Sequence, residues 1–147
     1  MNMTKRYVLK IKSLDKKWHD MDSVLLHASF QILTDFVERE SPARRIDWSH
    51  SKETRWVWRE IKDLYHWWKK ERPKRHSPLY SKTLRKPPHR FEKIKGLNLS
   101  MLIEPDKKKY VAYYRSLSEH TRLEEKWLDE DRRCLHRLAD VRPHLWT

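Results

Sequence analysis

The chain has 147 residues, of which 34 are Lys or Arg and 21 are Asp or Glu, and its formal net charge is +13. This length is sufficient for one hydrophobic core, so we predict a single helical domain over residues 1–147. The sequence lacks the run of about 18 apolar residues that a membrane-spanning helix requires, and its N-terminus lacks the apolar region of a secretory signal. The single Cys134 excludes an internal disulfide, which is typical of proteins of a reducing cytosol.

The glycine content favours a helical fold. Gly96 is the only glycine, whereas glycine usually makes up about 7% of a protein. Tight hairpin turns need positive φ angles, which Gly, Asn-Gly and Asp-Gly supply, and neither of these pairs occurs in the sequence. We therefore predict an all-α fold, a three-helix-type bundle with a Pro-rich basic insertion between helices 2 and 3.

The N-terminal part is predicted to contain an extended arm followed by the first long helix. Residues 4–12 alternate in polarity, which fits a short strand or an arm, and we favour the arm because no partner strand is evident. Asp15 is a plausible N-cap for a helix over residues 16–40. Two adjacent apolar stripes predict that this helix is central and contacted on two sides; they comprise Trp18, Met21, Leu25, Ile32 and Phe36, and Leu26, Phe30, Leu33 and Val37.

A tryptophan-rich helix is predicted over residues 52–71, with Ser51 as a possible N-cap. Four of the chain's 8 Trp lie in it, at Trp56, Trp58, Trp67 and Trp68. One helical face carries Val57, Ile61, Leu64 and Trp68, spaced i, i+4, i+7 and i+11. Because each buried Trp removes about 200 Å² of surface from water, we expect these side chains to define the core.

The basic segment, residues 69–95, is the candidate binding element. Its Lys/Arg and Glu residues give 11 − 2 = +9, and its four Pro residues disfavour a continuous helix. We predict a largely irregular insertion over residues 69–104. Cations neutralise phosphates and aromatic rings stack on unpaired bases, so the segment predicts contacts with RNA, single-stranded DNA or a nucleotide. A solvated loop and a segment that docks on an acidic protein surface are the alternatives. The candidate residues are Lys69, Lys70, Arg72, Lys74, Arg75, Tyr80, Lys82, Arg85, Lys86, Arg90, Phe91, Lys93 and Lys95.

The C-terminal part is predicted to be a third helix over residues 106–141. The preceding residues 97–103 are apolar and fit a strand or a core-covering loop. A continuous helix would be about 55 Å long, so a break near residues 116–119 is plausible. The acidic middle of this helix could hold its neighbours or the basic segment. Cys134 is expected to be a buried thiol, and Trp146 is expected to pin the tail onto the core.

Several His and Asp residues are candidates for metal binding or catalysis. His27 and Asp35 lie two turns apart on the first helix, where a metal or proton-relay role is conceivable, but we favour a buried, hydrogen-bonded histidine. His66 is spaced i, i+3 from Asp63, as in di-metal bundles, but such sites need carboxylates from several helices. His19-Asp20 matches part of the metal dyad of HD phosphohydrolases and lacks the upstream His. We predict no catalytic residue, no metal site and no cofactor.

Three blocks of the sequence resemble small, functionally uncharacterised proteins of tailed bacteriophages. They are residues 25–40, LLHASFQILTDFVERE, residues 59–73, REIKDLYHWWKKERP, and residues 134–147, CLHRLADVRPHLWT. The resemblance implies a viral protein of the host cytoplasm and supplies no activity. The shared positions are His27, Phe30, Asp35–Glu38, Tyr65, Trp67, Trp68, Pro73, Leu138, Arg142 and Leu145–Thr147, so most of the basic segment lies outside them.

Three functions remain as hypotheses. The first is a non-enzymatic phage accessory protein that binds nucleic acid or another polyanion through the basic segment. The second is a phage inhibitor that binds a host protein, such as a defence factor, through an aromatic-rich helical face. The third is a hydrolase that uses His27, Asp35 or His66, for which the sequence offers no nucleophile and base pair.

Overall fold

The computed structural model describes residues 6–146, and it is helical with one small sheet. The prediction of an all-α fold is therefore wrong, because two strands pair in an antiparallel sheet in the middle of the chain. The helices within the described residues are α1 (Met21–Arg39), α2 (Pro42–Arg45), α3 (Lys52–His66) and α4 (Val111–Val141), and the strands are β1 (Arg90–Lys93) and β2 (Ser100–Ile103).

The single glycine explains how a sheet forms in so glycine-poor a chain. Arg90 pairs with Ile103 at one end of the hairpin and Lys93 with Ser100 at the other. In the connecting turn the Leu97 amide donates to the Ile94 carbonyl at 3.2 Å. Gly96 lies at the third position of this turn with φ of +83°, as a type II turn requires. One hairpin needs only one such residue, so a count of glycines could not exclude it.

The described residues form two compact units. Unit 1 comprises residues 1–75 and 129–147, of which the structure describes 6–75 and 129–146, and unit 2 comprises residues 76–128. The first part of α4 belongs to unit 2 and its last part to unit 1. The single domain predicted from the sequence stays a prediction, because compactness does not show whether the units fold separately.

The core of unit 1 is built by α1, α3 and the end of α4. Its largest fully buried side chains include Phe30, Leu33, Ile61 and Leu64. Within residues 76–128, by contrast, no hydrophobic side chain is buried to this degree. Unit 2 therefore depends on the hairpin, on partly buried contacts and on polar contacts.

Helix α1 begins later than predicted, and its first turns are exposed. The cap is Asp20, whose Oδ1 accepts the Ser23 amide at 2.7 Å, whereas Asp15 accepts the Lys17 amide and contacts His19. Phe30 is buried, but Met21 is 91% exposed. The prediction of contacts on two sides is confirmed for the second half of the helix, where Phe30 stacks on Trp68 and the N-terminal arm hydrogen-bonds to Gln31 and Asp35; it is wrong for the first turns, which face solvent.

The arm prediction is confirmed for its described part, since residues 6–11 form no strand. The Tyr7 hydroxyl donates to Asp35 Oδ2 at 2.6 Å, and the Lys12 amide donates to Gln31 Oε1 at 3.0 Å. Burial, together with the hydrogen bond to Asp35, raises the pKa of Tyr7 to about 12. Residues 4 and 5 of the predicted arm lie outside the described residues.

Helix α3 confirms the tryptophan-rich core in part: Trp58 and Trp67 are partly buried against it, but Trp56 is 44% exposed. Ser51 caps the helix through a reciprocal pair of hydrogen bonds with Thr54, and Val57 and Trp68 are buried. Trp68 stacks on Phe30 with ring centroids 4.7 Å apart. After His66 the backbone widens into a π-helical turn, Trp67–Glu71, and then tightens into a 3₁₀ turn, Arg72–Lys74.

Helix α4 is continuous and about 46 Å long at 1.5 Å per residue. It begins at Val111 rather than at residue 106, and the break considered near residues 116–119 is absent. Cys134 is buried as predicted, and burial raises the pKa of its thiol. Trp146 is 55% exposed, so the prediction that it pins the tail onto the core is wrong; Thr147 lies outside the described residues. None of the helices within residues 6–146 has the length and apolar character that crossing a bilayer requires.

Candidate polyanion interface

The first part of the basic segment is engaged in ion pairs within unit 1. Arg72 donates through Nε and Nη2 to the two carboxylate oxygens of Asp131 at 3.0 and 3.1 Å. Arg75 Nη2 lies 2.8 Å from Asp131 Oδ1 and 3.1 Å from Glu130 Oε1. Both guanidinium groups are therefore held in ion pairs within unit 1. That these two arginines bind a polyanion stays a prediction.

The surroundings of this cluster reinforce the pairing. Burial by itself raises the pKa of Asp131, but hydrogen bonds and charge from Arg72 and Arg75 outweigh it and hold the pKa below its ordinary value. The two guanidinium groups also lie over indole rings, Arg72 over Trp68 at 5.0 Å and Arg75 over Trp67 at 5.7 Å. Glu130 and Asp131 of α4 therefore hold the start of the basic segment. This confirms the prediction that the acidic residues of this helix could hold the basic segment.

The lysines near these arginines in the sequence, Lys69, Lys70 and Lys74, make weaker contacts or none. Lys69 Nζ lies 3.4 Å from Glu38 Oε1, and Lys74 Nζ lies 3.4 Å from Glu71 Oε1, with all four side chains substantially exposed. Exposed ion pairs of this kind contribute little, and water and salt compete with them. Lys70 has no carboxylate partner among the described residues.

The second part of the basic segment, residues 76–95, lies in unit 2 and makes no ion pair with any other described residue. None of its lysines or arginines pairs with a carboxylate among residues 6–146, and Arg85 instead lies over the Tyr110 ring at 5.5 Å. The exposed cations of this part are Lys82, Arg85, Lys86, Arg90, Lys93 and Lys95.

Sequence reasoning missed four further cations that belong to the same stretch of unit 2. Lys107, Lys108 and Lys109 precede α4, and Arg115 lies in its first turns; all four are exposed. They were missed because Gly96 and the apolar residues 97–103 separate them from the candidate segment in the sequence. The cationic region, residues 82–115, holds 10 Lys/Arg and 3 Asp/Glu, and 10 − 3 = +7.

The aromatic candidates of unit 2 are exposed, as stacking on a ligand requires. Phe91 and Tyr80 are each 66% exposed. Side chains alternate along a strand, so Phe91 and Lys93 share one face of the hairpin and Arg90 lies on the other. Leu102 pairs with Phe91 across the hairpin. One face of the hairpin therefore presents an aromatic ring beside a cation.

A Ser–His–Glu chain of contacts occurs in unit 2. Ser77 Oγ lies 2.7 Å from His120 Nδ1, and His120 Nε2 lies 3.2 Å from Glu124 Oε1. These residue types activate nucleophiles in hydrolases. Here, however, the Ser77 hydroxyl also accepts the Leu79 amide at 3.2 Å, and the residue is 4% exposed. This geometry fits an anchor that ties the turn Pro78–Tyr80 to α4.

The histidines considered for metal binding make separate contacts. His27 Nδ1 lies 2.7 Å from Ser13 Oγ, and its ring meets Trp68 edge-on at 4.9 Å, as expected of a hydrogen-bonded histidine. His66 contacts Glu71 rather than Asp63, at 3.2 Å. Among residues 6–146, no group of three or more His, Cys, Asp or Glu side chains is placed to hold a metal ion.

Comparison of the chain with protein-family models, with curated proteins and with solved structures finds no match. The resemblance to proteins of tailed bacteriophages therefore stays a prediction.

Proposed function

We propose that this protein binds single-stranded RNA or DNA without catalysing a reaction, and that it does so through the cationic region of unit 2. The observation that carries the proposal is the set of exposed cations in the cationic region that have no carboxylate partner among the described residues. Phosphates that contact such cations release condensed counterions, which is the main source of affinity in non-specific binding.

Exposed aromatic rings support a single-stranded ligand over a duplex. Bases of a single strand are free to stack on Phe91 and Tyr80, whereas duplex bases are already stacked on one another. Phe91 and Lys93 lie about 7 Å apart along one face of β1. A base on the ring and a neighbouring phosphate on the ammonium group can therefore be contacted together.

The proposal assigns the candidate residues of the basic segment to two groups. Arg72 and Arg75 stabilise unit 1 through Asp131, and they are not proposed as phosphate ligands. The proposed ligands are Lys82, Arg85, Lys86, Arg90, Lys93 and Lys95, with Lys107–Lys109 as additional cations.

The test is the fluorescence anisotropy of labelled oligo-dT and oligo-U with two charge-reversal variants. One variant replaces the cations Lys82, Lys86, Arg90, Lys93 and Lys95 with Glu. The control variant replaces five exposed cations of unit 1 with Glu, namely Lys10, Lys16, Lys17, Lys52 and Arg59. Each variant has a formal charge of 13 − 10 = +3, so the two differ only in where the charge is removed.

The unit 2 variant is expected to bind much more weakly, and the control variant to keep most of its affinity. Equal losses in both variants would show that net charge alone attracts the oligonucleotide, which would contradict the proposal. Phe91→Ala changes no charge and is expected to weaken binding about fivefold or more, since stacking on an aromatic ring contributes about 1–3 kcal/mol per base. Mononucleotides that compete as well as oligonucleotides would indicate a nucleotide ligand instead.

Binding of a host protein through an aromatic-rich helical face is the second candidate. The observation that favours it is the exposure of Trp18, at 86%, and of Met21 at the start of α1. The phage origin and the location in the host cytoplasm belong to these proposals as well, and the sequence resemblance supports both.

A further inference from the structure

Unit 1 carries an apolar groove between the outer face of α1 and the end of α4. The groove encloses about 300 Å³ and is lined by Leu25, Ser29, Ile32, Leu135, Leu138 and Leu145, among others. Ser29 presents little polarity, since its hydroxyl donates to the Leu25 carbonyl at 2.7 Å. The groove floor is therefore almost wholly apolar.

The α1 side of the groove is an unpartnered helical face. Leu25, Ser29 and Ile32 follow the spacing i, i+4 and i+7 of one face, and Leu25 is 58% exposed. Met21 lies one turn earlier on the same face. Exposed Met and Leu side chains aligned in this way are typical of surfaces that receive a helix, because Met adapts its shape to the bound side chains.

The charged side chains along the groove favour an acidic partner. Arg142 lines the groove and has no carboxylate partner among residues 6–146. Arg39 lines the adjoining cleft, and its Nη1 lies 4.0 Å from Asp35 Oδ2, a long contact. Glu40 in the same cleft is already paired with Arg45 at 2.7 Å. Arg142 is thus available to an acidic partner, Arg39 is held only by its long contact with Asp35, and the half-buried Glu40 is neutralised by Arg45.

We propose that this groove binds an amphipathic helix of a partner protein, with apolar side chains at i, i+3 or i+4 and i+7 and with Asp or Glu beside them. A helix laid between α1 and α4 would complete a three-helix packing and bury the exposed stripe. A second copy of the chain fits less well, because it would bring the same formal charge of +13 to the interface.

This inference does not rest on the proposed nucleic-acid function. The groove residues belong to unit 1 and the cationic region belongs to unit 2. Loss of oligonucleotide binding in the charge-reversal variant would leave the groove intact, and a failure of the groove proposal would leave oligonucleotide binding intact.

The test uses three fluorescein-labelled synthetic peptides of about 16 residues, long enough for four helical turns. The first is a helix with Leu at i, i+3, i+7 and i+10 and Glu on the flanking positions. The second has the same composition in scrambled order, and the third has Lys in place of Glu. Anisotropy is measured with the full chain and its variants, each checked by circular dichroism.

The Glu-flanked helix is expected to bind at least about tenfold more tightly than the scrambled peptide. Leu25→Glu and Ala139→Glu should each weaken it about tenfold, whereas Trp56→Glu, at an exposed position of α3, should not. Arg142→Glu should weaken the Glu-flanked helix and strengthen the Lys-flanked one. Leu25→Ala provides a milder variant of the same contact.

Three results would overturn the proposal. Equal binding of the scrambled peptide would show simple attraction to a chain of charge +13. Unchanged binding by Leu25→Glu and Leu25→Ala would show that the helix docks elsewhere. A concentration-dependent dimer in sedimentation that Leu25→Glu abolishes would identify a second copy as the occupant.

Discussion

Replacement of Asp131 with Asn tests whether the start of the basic segment is structural. The change keeps the side-chain volume and removes the charge that Arg72 and Arg75 share. Breaking a fully buried pair costs about 3–5 kcal/mol, because the remaining charge is left without compensation. The side chains of Asp131 and Arg72 retain 16% and 24% exposure, so water offsets part of that cost. We therefore expect a loss of about 2–3 kcal/mol in the free energy of unfolding.

Urea denaturation followed by tryptophan fluorescence measures this loss. A decrease of 2–3 kcal/mol corresponds to a midpoint about 1–2 M lower for a chain of this size. Asp129→Asn is the matched control, since Asp129 lies two residues away and pairs with Arg132 at 3.5 Å with both side chains largely exposed. Equal effects of the two substitutions, each below about 0.5 kcal/mol, would refute the structural assignment of Arg72 and Arg75.

The remaining predictions concern the core, the hairpin and pH. Trp68→Ala should destabilise unit 1 by about 3–5 kcal/mol, because Trp68 is buried against Phe30, and calorimetry would show a much smaller effect of Trp56→Ala. Gly96→Ala should cost about 1 kcal/mol through its φ of +83° alone, since a Cβ there meets nothing within 4 Å; hydrogen exchange of the Ile94 amide, which bonds Leu99 across the hairpin, should become several-fold faster. The folded-state pKa of Asp131 lies below its ordinary value, so its contribution is present above about pH 4 and is lost as pH falls through the folded-state pKa. Urea titrations at several pH values should accordingly show a smaller acid destabilisation in Asp131→Asn than in the unmodified chain.

The parts of the fold that depend on local sequence could be predicted from it. The cap at Ser51, the buried face of α3 and the burial of Cys134 follow from helical periodicity and capping chemistry. The hairpin could not be excluded by composition, because its turn uses the single glycine, Gly96. The exposure of Met21 could not be predicted either, since periodicity identifies an apolar face but not what covers it.

The partners of the basic segment could not be predicted from the local sequence. The basic segment is continuous in sequence, but its first arginines and its later cations have different surroundings. Arg72 and Asp131 are 59 residues apart in the chain, and Ser77 and His120 are 43 apart. Neither pairing leaves a local signal in the sequence. Only the acidic composition of α4 indicated that a partner for the arginines existed.

The salt dependence of oligonucleotide binding tests the central claim most directly, namely that the cationic region of unit 2 contacts phosphates. Each phosphate contact on a single strand contributes about 0.7 to the slope of log K against log salt. The unit 2 charge-reversal variant should therefore lose about 3.5 from that slope if all five substituted cations bind phosphate, and the matched unit 1 variant should keep its slope. An unchanged slope in the unit 2 variant, or an equal loss in both, would contradict the account.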